Sequence, residues 1–168
     1  MFELYENFLC CDDNKQPYSF NVERHTDIDD LHAKVENGVF ELNSIGNRFI
    51  FNTPELSVFS VKITFGFTCI YEFKPNFNII FYYNKKTRTG EGLRLQYNLD
   101  KTVTLSYISV NGMNVCEISS VTISDIEIKE GEKYRIDFSV KNGILNGIIC
   151  ENKFSFKVSE QCGYIALE

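Results

Sequence analysis

The sequence predicts an all-β protein with minimal helix, and three observations carry that expectation. Apolar and polar residues alternate from end to end, most clearly in Lys133-Tyr134-Arg135-Ile136-Asp137-Phe138-Ser139-Val140-Lys141, where even positions are apolar and odd ones polar. A period of two belongs to a half-buried strand. The pairs Asn37-Gly38, Asn111-Gly112, Asn142-Gly143 and Asn146-Gly147 supply residues that tolerate positive φ in tight turns, so at least two of them should close hairpins. Helix signals are almost absent, because only Thr26 followed by the acidic stretch 27–33 offers a capped turn or two.

Taken in order, the first candidate strand is 48–51, an aromatic and aliphatic run after Arg48. In 58–67, Phe59, Val61, Ile63 and Phe65 alternate with Ser60, Lys62 and Thr64. The segment 78–83 is apolar without interruption after Asn78, and 92–98 alternates through Leu93, Leu95 and Tyr97. Val103, Leu105 and Tyr107 mark 102–110, while Ile126 and Ile128 extend 121–128. The remaining candidates are 133–141, 144–150, 154–158 with Phe154 and Phe156 on one side, and 164–167. No internal repeat, low-complexity tract or linker divides them. About a dozen short strands in one domain spanning 1–168 make a two-sheet antiparallel sandwich or a barrel.

Composition narrows the function classes. A chain of 168 residues has enough length to bury a core without metal or disulfides, and its 15 Phe and 9 Tyr make a large aromatic load. Its 17 Lys and Arg against 23 Asp and Glu leave a formal net charge of −6, with no basic block. That sign argues against nucleic-acid and anionic-membrane partners. Apolar runs fall far short of a membrane span of about 18 residues. Cys10, Cys11, Cys69, Cys116, Cys150 and Cys162 form no Cys-x-x-Cys unit, so structural zinc is not expected. Cys69 and Cys150 fall within strand-like apolar patterns, and buried free thiols in a reducing compartment are the expectation. The start, Met1-Phe2-Glu3-Leu4-Tyr5-Glu6, has no basic n-region or apolar h-region, so the chain as written reads as cytoplasmic.

From Asp29-Asp30-Leu31 onward the order of features resembles the concanavalin A-like lectin/glucanase jelly rolls, particularly laminin-G-like and 3-keto-disaccharide-hydrolase-like bacterial domains. The residues that carry the resemblance are Asn37-Gly38-Val39-Phe40-Glu41-Leu42, Phe59 to Phe65, the hairpin from Ile79 to Leu95, Lys129 to Ile136, Val140 to Gly147, and Gly163-Tyr164-Ile165-Ala166-Leu167. It covers residues 27–168 and lacks the Trp often found between the acidic-Leu turn and the Asn-Gly. The resemblance implies a two-sheet antiparallel jelly-roll sandwich. It also implies one of three roles: a noncatalytic carbohydrate-binding or accessory module of a sugar-processing system, a glycoside hydrolase, or a structural domain attached to a catalytic one such as an ADP-ribosylglycohydrolase.

Residues for each role can be named. Retaining hydrolysis needs two carboxyls about 5 Å apart. The nearest sequence match is Asp125-Ile126-Glu127-Ile128-Lys129-Glu130, where Asp125 and Glu127 would share a strand face and Glu130 would lie beyond it in a turn. Its order differs from the Glu-x-Asp-x-(x)-Glu of such enzymes, and a solvated strand face explains it more simply. His25 and His32 flank Asp27, Asp29 and Asp30, an arrangement more typical of an exposed segment than of a metal or catalytic site. Asp12-Asp13-Asn14 and 27–30 could give oxygen ligands to calcium, although Asp-rich loops are usually turns. No other cofactor is expected.

For glycan binding the candidates are Arg94, Gln96 and Asn98, which would line the face opposite Leu93, Leu95 and Tyr97, with Tyr82 of the partner strand beside them. Aromatic rings against sugar C–H faces and planar polar groups against hydroxyl pairs suit a sugar. An ordinary solvated sheet face would show the same pattern. Lys85, Lys86 and Arg88 make a basic hairpin tip that keeps the edge soluble. Finally, residues 2–10 look like a strand that would lie in the sheet of the C-terminal strand and cover its edge.

Overall fold

The structure is a computed structural model that describes residues 20–23, 33–36, 39–42, 48–51, 53–67, 76–124 and 126–168. Among the described residues there are thirteen strands and no helix. They are β1 (Phe20–Glu23), β2 (Ala33–Glu36), β3 (Val39–Leu42), β4 (Arg48–Phe51), β5 (Phe59–Phe65), β6 (Asn76–Asn84) and β7 (Thr89–Tyr97). The rest are β8 (Val103–Asn111), β9 (Asn114–Ile123), β10 (Tyr134–Lys141), β11 (Ile144–Ile149), β12 (Asn152–Lys157) and β13 (Tyr164–Leu167). A seven-stranded sheet has the order β1-β4-β13-β6-β7-β8-β9, a four-stranded sheet the order β12-β11-β10-β5, and β2 pairs with β3. Neighbouring strands pair antiparallel throughout. The chain is an antiparallel two-sheet β-sandwich.

Alternation builds the interior. Phe81, Leu93, Leu95, Leu105 and Tyr107 of the larger sheet share one core with Phe59, Ile136, Phe138, Val140, Leu145, Phe154 and Phe156 of the smaller. Aromatic rings bridge the sheets: the Phe81 ring centroid lies 5.6 Å from that of Phe59 and 6.5 Å from that of Phe138. Each such ring removes apolar area from water worth about 1.5–3 kcal/mol. A second buried cluster, Ile50, Ile80, Tyr83, Ile108, Val110 and Ala166, occupies part of the larger sheet's opposite face. Strands buried on both sides read as continuous apolar runs, which is why 79–83 shows no alternation. Arg48 is wholly buried beside this cluster. Its Nε donates to Glu168 Oε2 at 3.1 Å, Nη1 to the Tyr83 hydroxyl at 3.1 Å and Nη2 to the Gly112 carbonyl at 2.6 Å.

Turn chemistry follows three of the four Asn-Gly pairs. Asn142 (φ 52°) and Gly143 (φ 67°) join Lys141 to Ile144 in the two-residue loop where both positions require positive φ. Gly112 (φ 60°) opens the connection between Asn111 and Asn114. Glu36 pairs with Val39, leaving Asn37-Gly38 between them. Asn146-Gly147 instead lies inside β11, where Gly147 pairs with Phe138 and Phe154.

Other expectations need correction. The candidate strand 121–128 is displaced, because β9 runs from Asn114 to Ile123 and 126–133 is a loop. A register shift between Tyr107 and Ile108 of β8 puts Ile118 in excess on β9, which breaks the alternation there. Ala33 begins β2 rather than ending a helical turn. The strand expected to reach Cys150 stops at Ile149, and Cys150 is exposed in a turn at φ 45° rather than buried. β13 is no edge, since it pairs with β4 on one side and β6 on the other. An N-terminal strand is therefore not needed beside it, and residues 2–10 themselves lie outside the described residues.

Candidate functional site

The outer face of the larger sheet carries two polar rows across four strands. In one, Asn78 pairs with Arg94, Arg94 with Ser106 and Ser106 with Ser120. In the other, Asn76 pairs with Gln96, Gln96 with Thr104 and Thr104 with Thr122. The rows exist because β7 points Leu93, Leu95 and Tyr97 into the core, which turns Arg94 and Gln96 outward. Asn98 follows at the turn, where its amide N–H donates to the Thr102 carbonyl.

A hydrogen-bond network holds these side chains in place. Arg94 Nε donates to Asn78 Oδ1 at 2.9 Å, and Gln96 Nε2 donates to Asn98 Oδ1 at 2.9 Å. Asn98 Nδ2 donates to Thr102 Oγ1 at 2.9 Å and Thr104 Oγ1 at 2.8 Å. Ser106 Oγ donates to Glu117 Oε2 at 2.6 Å, and Ser120 Oγ donates to Glu117 Oε1 at 2.9 Å. These two hydroxyls, together with the charge of Arg94, hold the Glu117 carboxyl below the usual carboxylate range. Arg94, Gln96 and Asn98 are half-buried, so water reaches them while their neighbours fix their rotamers. Among the described residues, the Arg94 Nη groups and the Gln96 Oε1 have no hydrogen-bond partner. The face presents a planar donor fork beside an amide acceptor, a set that can bind adjacent hydroxyls.

The structure brings Arg94, Gln96 and Asn98 to one face, but Tyr82 does not join them. Tyr82 is 3% exposed and belongs to the inter-sheet core, with its hydroxyl donating to the Ser57 carbonyl at 3.0 Å. The cause is a β-bulge: Phe81 pairs with Glu91 but Asn84 with Thr89, so β6 carries an extra residue, and Tyr82 adopts φ 56°. The bulge fits because Gly163 leaves the Tyr82 backbone room that a Cβ would fill. What the sequence missed on this face is Asn78, Ser106 and Glu117. Their signal was the pairing register, which alternation within one strand does not reveal.

The remaining candidates are scattered. Glu127 is exposed on the 126–133 loop rather than on a strand face, where its Oε2 lies 3.9 Å from Lys129 Nζ, and Glu130 is exposed in the turn expected for it. Asp125, His25, His32, Asp12, Asp13, Asn14 and 27–30 lie outside the described residues. Among the described residues no three His, Cys, Asp or Glu side chains are grouped to hold a metal ion. Lys85, Lys86 and Arg88 do sit at the β6–β7 turn, where Lys85 Nζ lies 3.7 Å from the Tyr164 ring centroid. Inside the sandwich, Glu91 accepts from the Tyr107 hydroxyl at 2.6 Å, the Ser159 hydroxyl and amide, and Gln161. Burial, that hydrogen bond and the Glu91 charge push the Tyr107 hydroxyl far above its ordinary value. Glu91 is fully engaged as a tie between β7 and the segment after β12.

The sequence matches no protein-family model and no curated protein. Among solved structures the chain is similar to the carbohydrate-binding module CBM66 from Bacillus subtilis, with 11% identity and a TM-score of 0.59 over 74% of each chain. It also aligns with CG-16, a homodimeric agglutinin from chicken liver, at 16% identity and a TM-score of 0.45, covering 71% of this chain and 90% of that one. A native glycosidic hydrolase aligns at 6% identity and a TM-score of 0.46, covering 72% of this chain and 55% of the other. The first likeness establishes a shared sandwich fold, and the other two add no argument to it.

Proposed function

We propose that the chain is a noncatalytic carbohydrate-binding module that holds a glycan on the outer face of its seven-stranded sheet. The observation that carries the reading is the set Arg94, Gln96 and Asn98, prearranged by Asn78, Thr102 and Thr104, with a donor fork and an amide acceptor left open to solvent. Adjacent sugar hydroxyls match such groups, and fixing the side chains beforehand lowers the ordering cost of binding. The fold shared with a structure described as a carbohydrate-binding module supports the same reading. An accessory role beside a sugar-processing enzyme accords with it: of the three acids that would serve hydrolysis, Glu127 and Glu130 are exposed on a loop, and Asp125 lies outside the described residues.

The test is a glycan array followed by calorimetry with wild type, Arg94→Ala and Gln96→Ala. The reading expects a neutral glycan bound by wild type and at least about tenfold more weakly by each variant, the loss of one or more hydrogen bonds involving a charged or amide group. Absence of any sugar ligand, or variants that bind as wild type does, would refute it.

A further inference from the structure

The outer face of the four-stranded sheet has the opposite electrostatic character to the molecule. Although the chain carries a formal net charge of −6, this face presents Lys62, Arg135, Lys141, Lys153 and Lys157 with Asp137 as its one carboxylate. The placement follows from register. Lys62 pairs with Asp137, Asp137 with Ile148 and Ile148 with Lys153, while Lys141 pairs with Ile144 and Ile144 with Lys157. Between these rows, Ser60, Ser139, Asn146 and Ser155 form an uncharged one. Asp137 is occupied by Arg135 through Nε to Oδ1 at 2.7 Å and Nη2 to Oδ2 at 2.8 Å. Among the described residues none of the four lysines belongs to an ion pair, and all four are exposed.

We propose that this face binds an acidic polysaccharide, its lysines taking carboxylate groups spaced a few sugars apart along a polyuronate. Charge complementarity names the class of partner: four lysines outside any ion pair, gathered with Arg135 on one face of an acidic protein, attract a polyanion that also relieves their mutual repulsion. Spacing suits a repeating charge, because three strand separations put Lys62 and Lys153 about 14 Å apart, and four residues put Lys153 and Lys157 about 13 Å apart. Overlapping the first row, a depression of about 280 Å³ is lined by Asp137 and Glu151 together with Lys133, Tyr134, Arg135, Ile148 and Cys150, its two carboxylates balanced by Lys133 and Arg135. Membrane docking would call for protruding apolar side chains. Of the outward residues of this face only Ile144 and Ile148, 45% and 37% exposed, are apolar, and they stand singly among the lysines. Single-stranded nucleic acid is held by exposed aromatic platforms, and no aromatic residue stands in these rows. The choice of a glycan among polyanions rests on the carbohydrate-binding reading above, whereas the position of the site does not.

The experiment measures retardation of the full chain in native gels and by calorimetry with polygalacturonate, its fully methyl-esterified neutral counterpart, phosphatidylserine vesicles and a DNA oligomer. Expected are binding to polygalacturonate that weakens as salt rises, little binding to the ester, and a loss of about tenfold or more in Lys62→Gln/Lys141→Gln/Lys153→Gln/Lys157→Gln. The matching fourfold Lys→Arg variant should bind as wild type does, which separates lost charge from lost folding. Failure to bind polygalacturonate, equal binding of the ester, preference for vesicles or DNA, or full binding by the Lys→Gln variant would each overturn the proposal. Neutral-glycan binding on the other sheet is scored separately with Arg94→Ala, so failure of either reading is distinguishable from failure of the other.

Discussion

Replacing Gly147 by valine sets local preference against packing. In an isolated strand valine is better than glycine by up to about 1 kcal/mol, so propensity alone expects Gly147→Val to stabilise β11. The structure expects the reverse. A Cβ at Gly147 would stand 2.8 Å from both the Asp137 carbonyl oxygen and Phe138 Cβ, and closer still to the Phe154 ring. The first two belong to the paired strand β10, and Phe154 is itself buried, so little can give. Overpacking of a filled core costs about 1–3 kcal/mol, and valine adds two methyls beyond the Cβ, which places the clash at the upper end. After the propensity gain the net loss is about 2 kcal/mol. For a domain of 168 residues that is a fall of about 4–8 °C in Tm, measurable by thermal and urea denaturation followed by circular dichroism. Gly112→Val is the control, since nothing lies within 4 Å of its Cβ and only its φ of +60° opposes substitution. If Gly147→Val were as stable as wild type, β11 would not pass beneath Phe154, and Asn146-Gly147 would be free to turn as the sequence alone suggested.

Three further outcomes follow from particular contacts. Arg48→Met should cost about 3 kcal/mol or more, because it leaves the Glu168 carboxylate without its cation beside a buried cluster; adding Glu168→Gln should recover part of the loss in a double-mutant cycle. Glu117 should titrate below ordinary glutamates by carboxyl NMR, and Ser106→Ala should raise it. With its folded pKa lowered, Glu117 adds stability that is present above the unfolded value and lost as pH falls through the folded one, so Ser106→Ala should flatten the acid limb of the stability profile. Thiol titration should find six free cysteines in denatured protein without reductant. In native protein Cys116, Cys150 and Cys162 should all react, Cys150 more slowly at neutral pH because partial desolvation of its otherwise exposed side chain pushes the thiol upward and thiolate is the nucleophile.

Much of the sandwich was legible because its core is built from strands with one wet face. β5, β7, β10 and β12 alternate cleanly, and Asn142-Gly143 announces its hairpin through residues that accept positive φ. Where a bulge intervenes, period two fails. The extra residue at Tyr82 moves its ring from the expected sugar face to the core, and the excess residue Ile118 hides β9. Asn146-Gly147 is the same dipeptide as a turn but is flattened into β11, since only glycine leaves space under Phe154. Arg94, Gln96 and Asn98 could be placed on one face because they lie on a single alternating segment. Their supports, Asn78, Thr104, Ser106 and Glu117, come from three other strands, and register across a sheet is set by hairpins and bulges rather than by any local pattern. The cationic face of the smaller sheet escaped notice for the same reason: Lys62, Lys141 and the β12 pair Lys153 and Lys157 come from three strands that meet only through pairing.

Amide shift mapping with a neutral glycan identified on the array tests the proposed binding to the outer face of the seven-stranded sheet. The largest changes in the ¹H–¹⁵N spectrum, side-chain amides included, should fall on Asn78, Arg94, Gln96, Asn98, Thr104 and Glu117, with Tyr82 unmoved in the core. Changes centred on the 126–133 loop or on the inter-sheet tie at Glu91, with the Arg94 row silent, would contradict it.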